Sequence, residues 1–301
     1  MRKNVFVLAA VALCLAACEK IDLADPDGGN GETTEVSGVT PKAKKFTFTL
    51  KGDFSNEWKP MTRGYLQADG KDLTDVWVLD YDGEGNLLQQ LHQDDNTSED
   101  FGKPVLNLAY GQHHVYFIAS RGQNPTLNTE TKTISFTKVL DTFYKDYEVS
   151  VVSTSNGNRA VTLDRVVTRL RLTFTDAIPT NAATFNIAPA VWYYGWNYVT
   201  GAPAASASNQ AVVVNIPSSS IGKTGEYVNV FGFSAATEWT TDINFNSKTS
   251  GGDVIGQATI TAAPFMANRS TEYSGPLFGS PDSEVTMGLN TDWTTAVTGT
   301  W

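Results

Sequence analysis

Phe46-Thr47-Phe48-Thr49-Leu50 alternates apolar and hydroxyl side chains. Side chains on an extended chain point alternately to opposite faces, so this stretch reads as a strand with one face buried and the other in water. The same period of two recurs along the chain. Residues 73–81 read as a strand, turned by Asp82-Gly83-Glu84-Gly85-Asn86 and answered over 87–91, with glycines where a hairpin needs positive φ. Further strands are expected at 105–108, 114–119, 133–136, 147–152, 166–174, 183–187, 191–198, 211–216, 227–233, 241–245, 254–261 and 285–289, with one more at the C-terminus. Only 138–145 reads as a helix, with Val139, Leu140 and Phe143 on one side. In 166–174 the alternation sends Val166, Leu170, Leu172 and Phe174 to one face and Arg165, Arg169 and Arg171 to the other, the pattern of a long strand with a solvated face.

Turn clusters such as Pro217-Ser218-Ser219-Ser220 and Thr249-Ser250-Gly251-Gly252-Asp253 separate these strands at the short spacing of antiparallel sandwiches. The expected fold is all-β, two tandem antiparallel Greek-key β-sandwich domains over 44–160 and 161–301. There is no clear internal repeat.

Ahead of them, Arg2 and Lys3 precede the apolar run from Val5 to Leu15 and the small-residue site Leu15-Ala16-Ala17-Cys18. That order reads as a lipoprotein signal peptide over 1–17, with Cys18 the acylated first residue of the mature chain. Cys14 leaves with the leader, so without a lipid Cys18 would be a lone thiol in an oxidising compartment. Residues 18–43 hold Asp25-Pro26-Asp27-Gly28-Gly29-Asn30-Gly31 and read as a flexible tether. The expected location is the outer membrane, surface-exposed and held by the N-terminal lipid.

Lys plus Arg number 22 against 32 Asp plus Glu, a net charge of −10, which argues against nucleic acid as a partner. Catalytic constellations dissolve on inspection. Asp80, Asp82, Glu84 and Gly85 match the opening of an EF-hand loop, yet its twelfth position is Leu91 instead of the bidentate glutamate. Gly222-Lys223-Thr224 copies the end of a phosphate loop whose first glycine would fall on Pro217. Ser220-Ile221-Gly222-Lys223 and Lys223-Thr224-Gly225 share one lysine, whereas the penicillin-recognition motifs they imitate lie on separate elements. Adjacent His113 and His114 point to opposite faces of a strand, so they do not converge on one metal. Acidic residues scattered through loops always supply some pair at the separation that glycoside hydrolysis uses, and nothing singles one out. No catalytic residue, metal or cofactor is assigned, and an enzyme is not expected.

One aromatic row invites a binding reading. Trp192, Tyr194, Trp196 and Tyr198 lie two apart and could stack on sugar rings, provided Gly195 introduces no bulge. The alternative, favoured about three to one, is that they line the core of the second sandwich.

Several segments stand out when taken in order: the lipobox at Cys18, the first strand from Phe46 with Arg63 in the loop behind it, and Asp75-Val76-Trp77-Val78-Leu79-Asp80-Tyr81-Asp82-Gly83. They continue with His114-Val115-Tyr116-Phe117-Ile118-Ala119-Ser120, with Leu163-Asp164-Arg165-Val166-Val167-Thr168-Arg169-Leu170, and with Asp292-Trp293 and Thr300-Trp301. In this order and spacing they resemble the Bacteroidales-type fimbrillins, lipoprotein precursors of type V pilus shaft subunits.

The resemblance implies that a trypsin-like protease cuts between Arg63 and Gly64 and removes the strand carrying Phe46, Phe48 and Leu50. The C-terminal strand of another subunit, here Trp293, Thr295, Val297 and Trp301, then fills the groove. The implied partners are other copies of the chain and accessory fimbrial subunits, with host or bacterial surface ligands beyond them. A tip or anchor subunit, and a glycan-binding surface lipoprotein, remain as alternatives. The residues fit such a scheme: Lys59 precedes Pro60 and so resists the protease, leaving Arg63 the more cuttable. Losing Phe46, Phe48 and Leu50 from a core would cost about 1.5–3 kcal/mol each, comparable in sum to the net stability of a domain. The C-terminus also alternates, as an added strand should.

Overall fold

The computed structural model describes residues 42–52, 73–207, 211–279 and 297–300. Nineteen strands run through them, and the fold is all-β. The first lobe is a seven-stranded sheet in the order β3 (Leu87–Gln93), β2 (Asp75–Asp82), β5 (Gly111–Ser120), β8 (Thr142–Val151), β9 (Asn158–Arg165), β1 (Ala43–Gly52) and β4 (Val105–Ala109). Strands β8 and β9 share only the pairs Phe143 with Arg165 and Tyr144 with Asp164. The two sides of the sheet face each other across one core. Phe46, Phe48, Leu106, Leu108, Val161 and Leu163 supply one wall, and Val76, Val78, Val115, Phe117, Phe143 and Val151 supply the other.

The second lobe packs two four-stranded sheets. One runs β15 (Glu226–Phe233), β10 (Val167–Phe174), β18 (Ser270–Gly275), β19 (Val297–Thr300). Its mate runs β14 (Val212–Asn215), β11 (Ala182–Pro189), β16 (Trp239–Thr249), β17 (Val254–Phe265). Leu170, Leu172, Phe174, Phe185, Ile187 and Phe245 fill the space between them, with Phe174 and Phe185 stacked at 4.1 Å. Pairing is antiparallel throughout the described strands except for β1 with β9, β10 with β18 and β18 with β19, which are parallel.

A fourth sheet, β13 (Ala202–Ala207), β12 (Trp192–Asn197), β7 (Thr133–Lys138), β6 (Gln123–Asn128), joins strands from both halves of the sequence. Beneath it lies a third apolar layer made by Trp77, Leu79, Tyr81, Tyr116, Ile118, Phe136, Trp196, Tyr198 and Phe233. This layer explains why β2 and β5 are apolar on both faces. Val76, Val78, Val115 and Phe117 look into the first core, while Trp77, Leu79, Tyr116 and Ile118 look into the shared layer.

Two expectations are corrected. No helix forms at 138–145; Val139 enters the shared layer and Phe143, on β8, enters the first core, so their spacing serves two cores and not one helical face. Nor is the arginine face solvated throughout; Arg171 is half-buried over the Tyr227 ring. Arg169 is fully buried: its Nε donates to Ser270 Oγ at 2.8 Å, its Nη2 pairs with Glu272, and the Thr168 hydroxyl donates to the Arg269 carbonyl at 2.9 Å. Arg165 is likewise buried, bidentate on Asp141 at 2.8 and 3.1 Å. Burial pulls the Arg169 guanidinium down to about 10, Glu272 opposing, so it stays charged at neutral pH.

Candidate functional site

Strand β1 is the element on which the sequence places function. Its first half pairs antiparallel with β4, Ala43 facing Ala109 through Thr47 facing Val105, and its second half pairs in parallel with β9, Thr47 facing Asn158 through Gly52 facing Leu163. Irregular bonds extend both seams. Thr47 N–H donates to Gly157 O at 2.7 Å, Phe48 N–H to Pro104 O at 3.0 Å and Leu50 N–H to Gly102 O at 2.9 Å. The strand is therefore held along both edges in the interior of a sheet.

Its inward face is apolar. Phe46 and Phe48 are fully buried and stacked at 6.0 Å, and Phe48 meets Phe117 edge-on at 5.0 Å and Tyr147 at 5.8 Å. Leu50, half-buried, packs against the same core. Arg159 lies over the Phe46 ring at 5.3 Å. Among the described residues one side-chain hydrogen bond leaves β1, from Lys44 Nζ to Ser155 O at 3.0 Å. Beyond Leu50 the core opens into a cavity of about 340 Å³ lined by Leu50, Leu73, Val76, Phe101, Ala119 and Leu163. Gly157 permits the close approach of β9: a Cβ there would lie 2.2 Å from Lys45 O.

The other expected sites distribute as follows. Cys18, Arg63, Trp293, Thr295 and Trp301 lie outside the described residues. Val297 faces Thr271 in β19, whose four residues pair in parallel with β18 at the end of their sheet. Trp192, Trp196 and Tyr198 are buried and Tyr194 half-buried. Trp192 belongs to the core of the second lobe, its Nε1 donating to Phe231 O at 3.0 Å, while Trp196 and Tyr198 belong to the shared layer. Gly232 leaves room for Trp192; a Cβ there would lie 2.5 Å from the indole. Trp192, Trp196 and Tyr198 packed this way offer no face to a sugar, and Tyr194 packs against both layers, the arrangement of the favoured core reading.

Asp82 acts in a turn: its carboxylate accepts from Asn86 Nδ2, Asn86 N–H and Glu84 N–H at 2.8–2.9 Å, and these bonds, Asn86 first, hold its pKa below the usual carboxylate value. Gly85 takes φ 85°, as the hairpin requires. The part of the β1 seat that sequence reasoning missed is β9. Its pairing with β1 joins residues about 110 apart in the chain, and the only local hint is the glycine at 157.

No family model and no curated protein matches the chain. Among solved structures it is similar to a fimbrial assembly protein from Parabacteroides distasonis, at 11% identity and TM-score 0.47 over 80% of this chain and 93% of that one. A candidate adhesin from Bacteroides ovatus matches at 13% identity and TM-score 0.48 over 72% and 76% of the two chains. The fimbrial anchor protein Mfa2 from Porphyromonas gingivalis matches at 9% and 0.40 over 73% and 83%. These three neighbours are fimbrial or adhesin proteins; likeness this distant does not carry a residue's role from one chain to another.

Proposed function

We propose that this chain is a structural fimbrial subunit, anchored to the outer membrane through Cys18 until assembly, that links to other subunits by exchanging strands and so supports adhesion. The observation that carries the proposal is the seating of β1: an apolar strand held on both edges whose departure would open a groove between β4 and β9. The connection leaving Gly52 contains Arg63, so one cut after that residue would separate β1 from the rest of the domain. The incoming strand must offer large apolar groups on one face to replace Phe46 and Phe48, each worth about 1.5–3 kcal/mol of burial. The C-terminal alternation sends Trp293, Thr295, Val297 and Trp301 to one face, with the large apolar groups at every fourth residue. β19, four residues long and paired on its β18 side, is short enough to leave its own sheet.

Limited trypsin treatment of the purified precursor, followed by intact mass and gel analysis, tests the reading. One early cut between Arg63 and Gly64, followed by ladders that survive mild denaturation, is the expected result, and Arg63→Ala should abolish both. A chain that is cut at Arg63 and stays monomeric, or resists cutting there, is not a strand-exchanging shaft subunit.

A further inference from the structure

Each of the three histidines meets an aspartate, and one meeting differs from the other two. His113 Nδ1 lies 2.7 Å from Asp80 Oδ1 and its Nε2 2.9 Å from Ala109 O, with both side chains buried, so both ring nitrogens are committed to holding β5 in place. His92 Nε2 lies 2.9 Å from Asp75 Oδ1, and its ring stacks on Trp77 at 4.6 Å. His114 Nδ1 instead sits 3.2 and 3.3 Å from the two oxygens of Asp146, straddling the carboxylate.

A third group closes on the same point. In the β5–β8 register His114 faces Glu148 and Tyr116 faces Asp146, so all four side chains leave one face of the sheet. One ligand atom from each of His114, Asp146 and Glu148 falls within 4.8 Å of the others. Among the described residues the Glu148 carboxylate has no hydrogen bond or ion pair, and Asp146 meets only His114.

We propose that His114, Asp146 and Glu148 form a binding site for zinc(II). Around tetrahedral zinc, bonds near 2.0–2.1 Å place ligand atoms about 3.3 Å apart, the separation already present between His114 and Asp146. Glu148 is exposed and long enough to complete the set by a change of rotamer. An imidazole ligand selects zinc over calcium, which takes oxygen donors. His114 and Asp146 keep about a third of their side-chain surface open, 36% and 32%, so an ion can enter and a water can take the fourth position. The ion would tie β5 to β8 beside the shared layer.

Isothermal titration of the full chain with zinc chloride in a non-chelating buffer tests this, run beside His114→Ala, Glu148→Gln and His92→Ala. One zinc per chain is expected for the parent and for His92→Ala, with affinity at least about tenfold weaker in the other two and their far-UV circular dichroism unchanged. If His114→Ala does not fold, Glu148→Gln, an isosteric change at an exposed side chain, decides alone. Absence of stoichiometric uptake by the parent, undiminished binding by Glu148→Gln, or calcium binding as tightly as zinc would each overturn the assignment.

Discussion

Each lobe holds one strand between an antiparallel and a parallel neighbour: β1 between β4 and β9, β10 between β15 and β18. The two seats are alike in hydrogen-bond geometry and opposite in chemistry. β1 contributes buried phenylalanines and a single polar side-chain tie among the described residues, from Lys44. β10 contributes Arg169 and Thr168, both fully buried and bonded to β18 or the residue before it. An apolar seat accepts any strand with apolar groups at the right period, because burial is non-directional. A seat wired by a buried guanidinium accepts only the strand that carries it, since any other leaves Ser270 and Glu272 without their partner. The first seat therefore rests mainly on apolar burial, and the second on a buried cation and the partners that answer it.

The largest changes expected from testing this contrast strike the two seats directly. Arg169→Ala should cost about 2–5 kcal/mol in urea denaturation whatever the processing state, because it empties a fully buried site and removes the guanidinium bonds to Ser270 and Glu272. Phe48→Ala should cost about 3–5 kcal/mol in the uncut chain and nothing in assembled polymer, from which β1 would be gone. A Phe48→Ala loss that persists in the polymer would break the contrast. Gly157→Ala should cost about 1–3 kcal/mol, by pushing the start of β9 off the Lys45 carbonyl, and should ease the loss of β1 after cleavage.

The layer shared by both lobes supplies a pH test. Burial raises the Tyr116, Tyr144 and Tyr198 phenols above their ordinary value of 10.0, Tyr116 to about 12. In the unfolded chain these tyrosines ionise first, so stability is intact below pH 10 and falls as pH rises from 10 toward 12. Tyr116→Phe should shallow that fall in a denaturation-midpoint titration. Smallest of all, Lys145→Ala, which removes an exposed pair with Asp164, should change stability by less than about 1 kcal/mol.

Phe46 to Leu50 and the even-numbered apolar residues of β10 were legible because alternation reports which face is buried; Asp75 to Asp82 was legible from the turn that follows it, although both of its faces are buried. Arg169 was not, since polar alternation looks the same whether water or a partner strand answers it; only the fold supplies Glu272 and Ser270. β9 and its glycine escaped for a related reason: parallel neighbours are distant in sequence and leave no turn between them to read. His113 and His114 were rightly sent to opposite faces, but ligands from β8 depend on a register that the chain does not print. The lipid anchor and the cleavage point rest on motifs at Cys18 and Arg63, outside the described residues.

The pairing of β7 with β12 has a consequence in time. Ile134 and Ser135 cannot find their neighbours Trp196 and Gly195 until some sixty further residues are available, and β1 waits longer still for Asn158 to Leu163. Long-range closures of this kind slow folding, since loop entropy is lost before contacts repay it. For a chain delivered N-terminus first, the strand that begins the first lobe is thus among the last strands of that lobe to be locked in. Until then Phe46 and Phe48 stand as a nascent edge open to pairing with other copies.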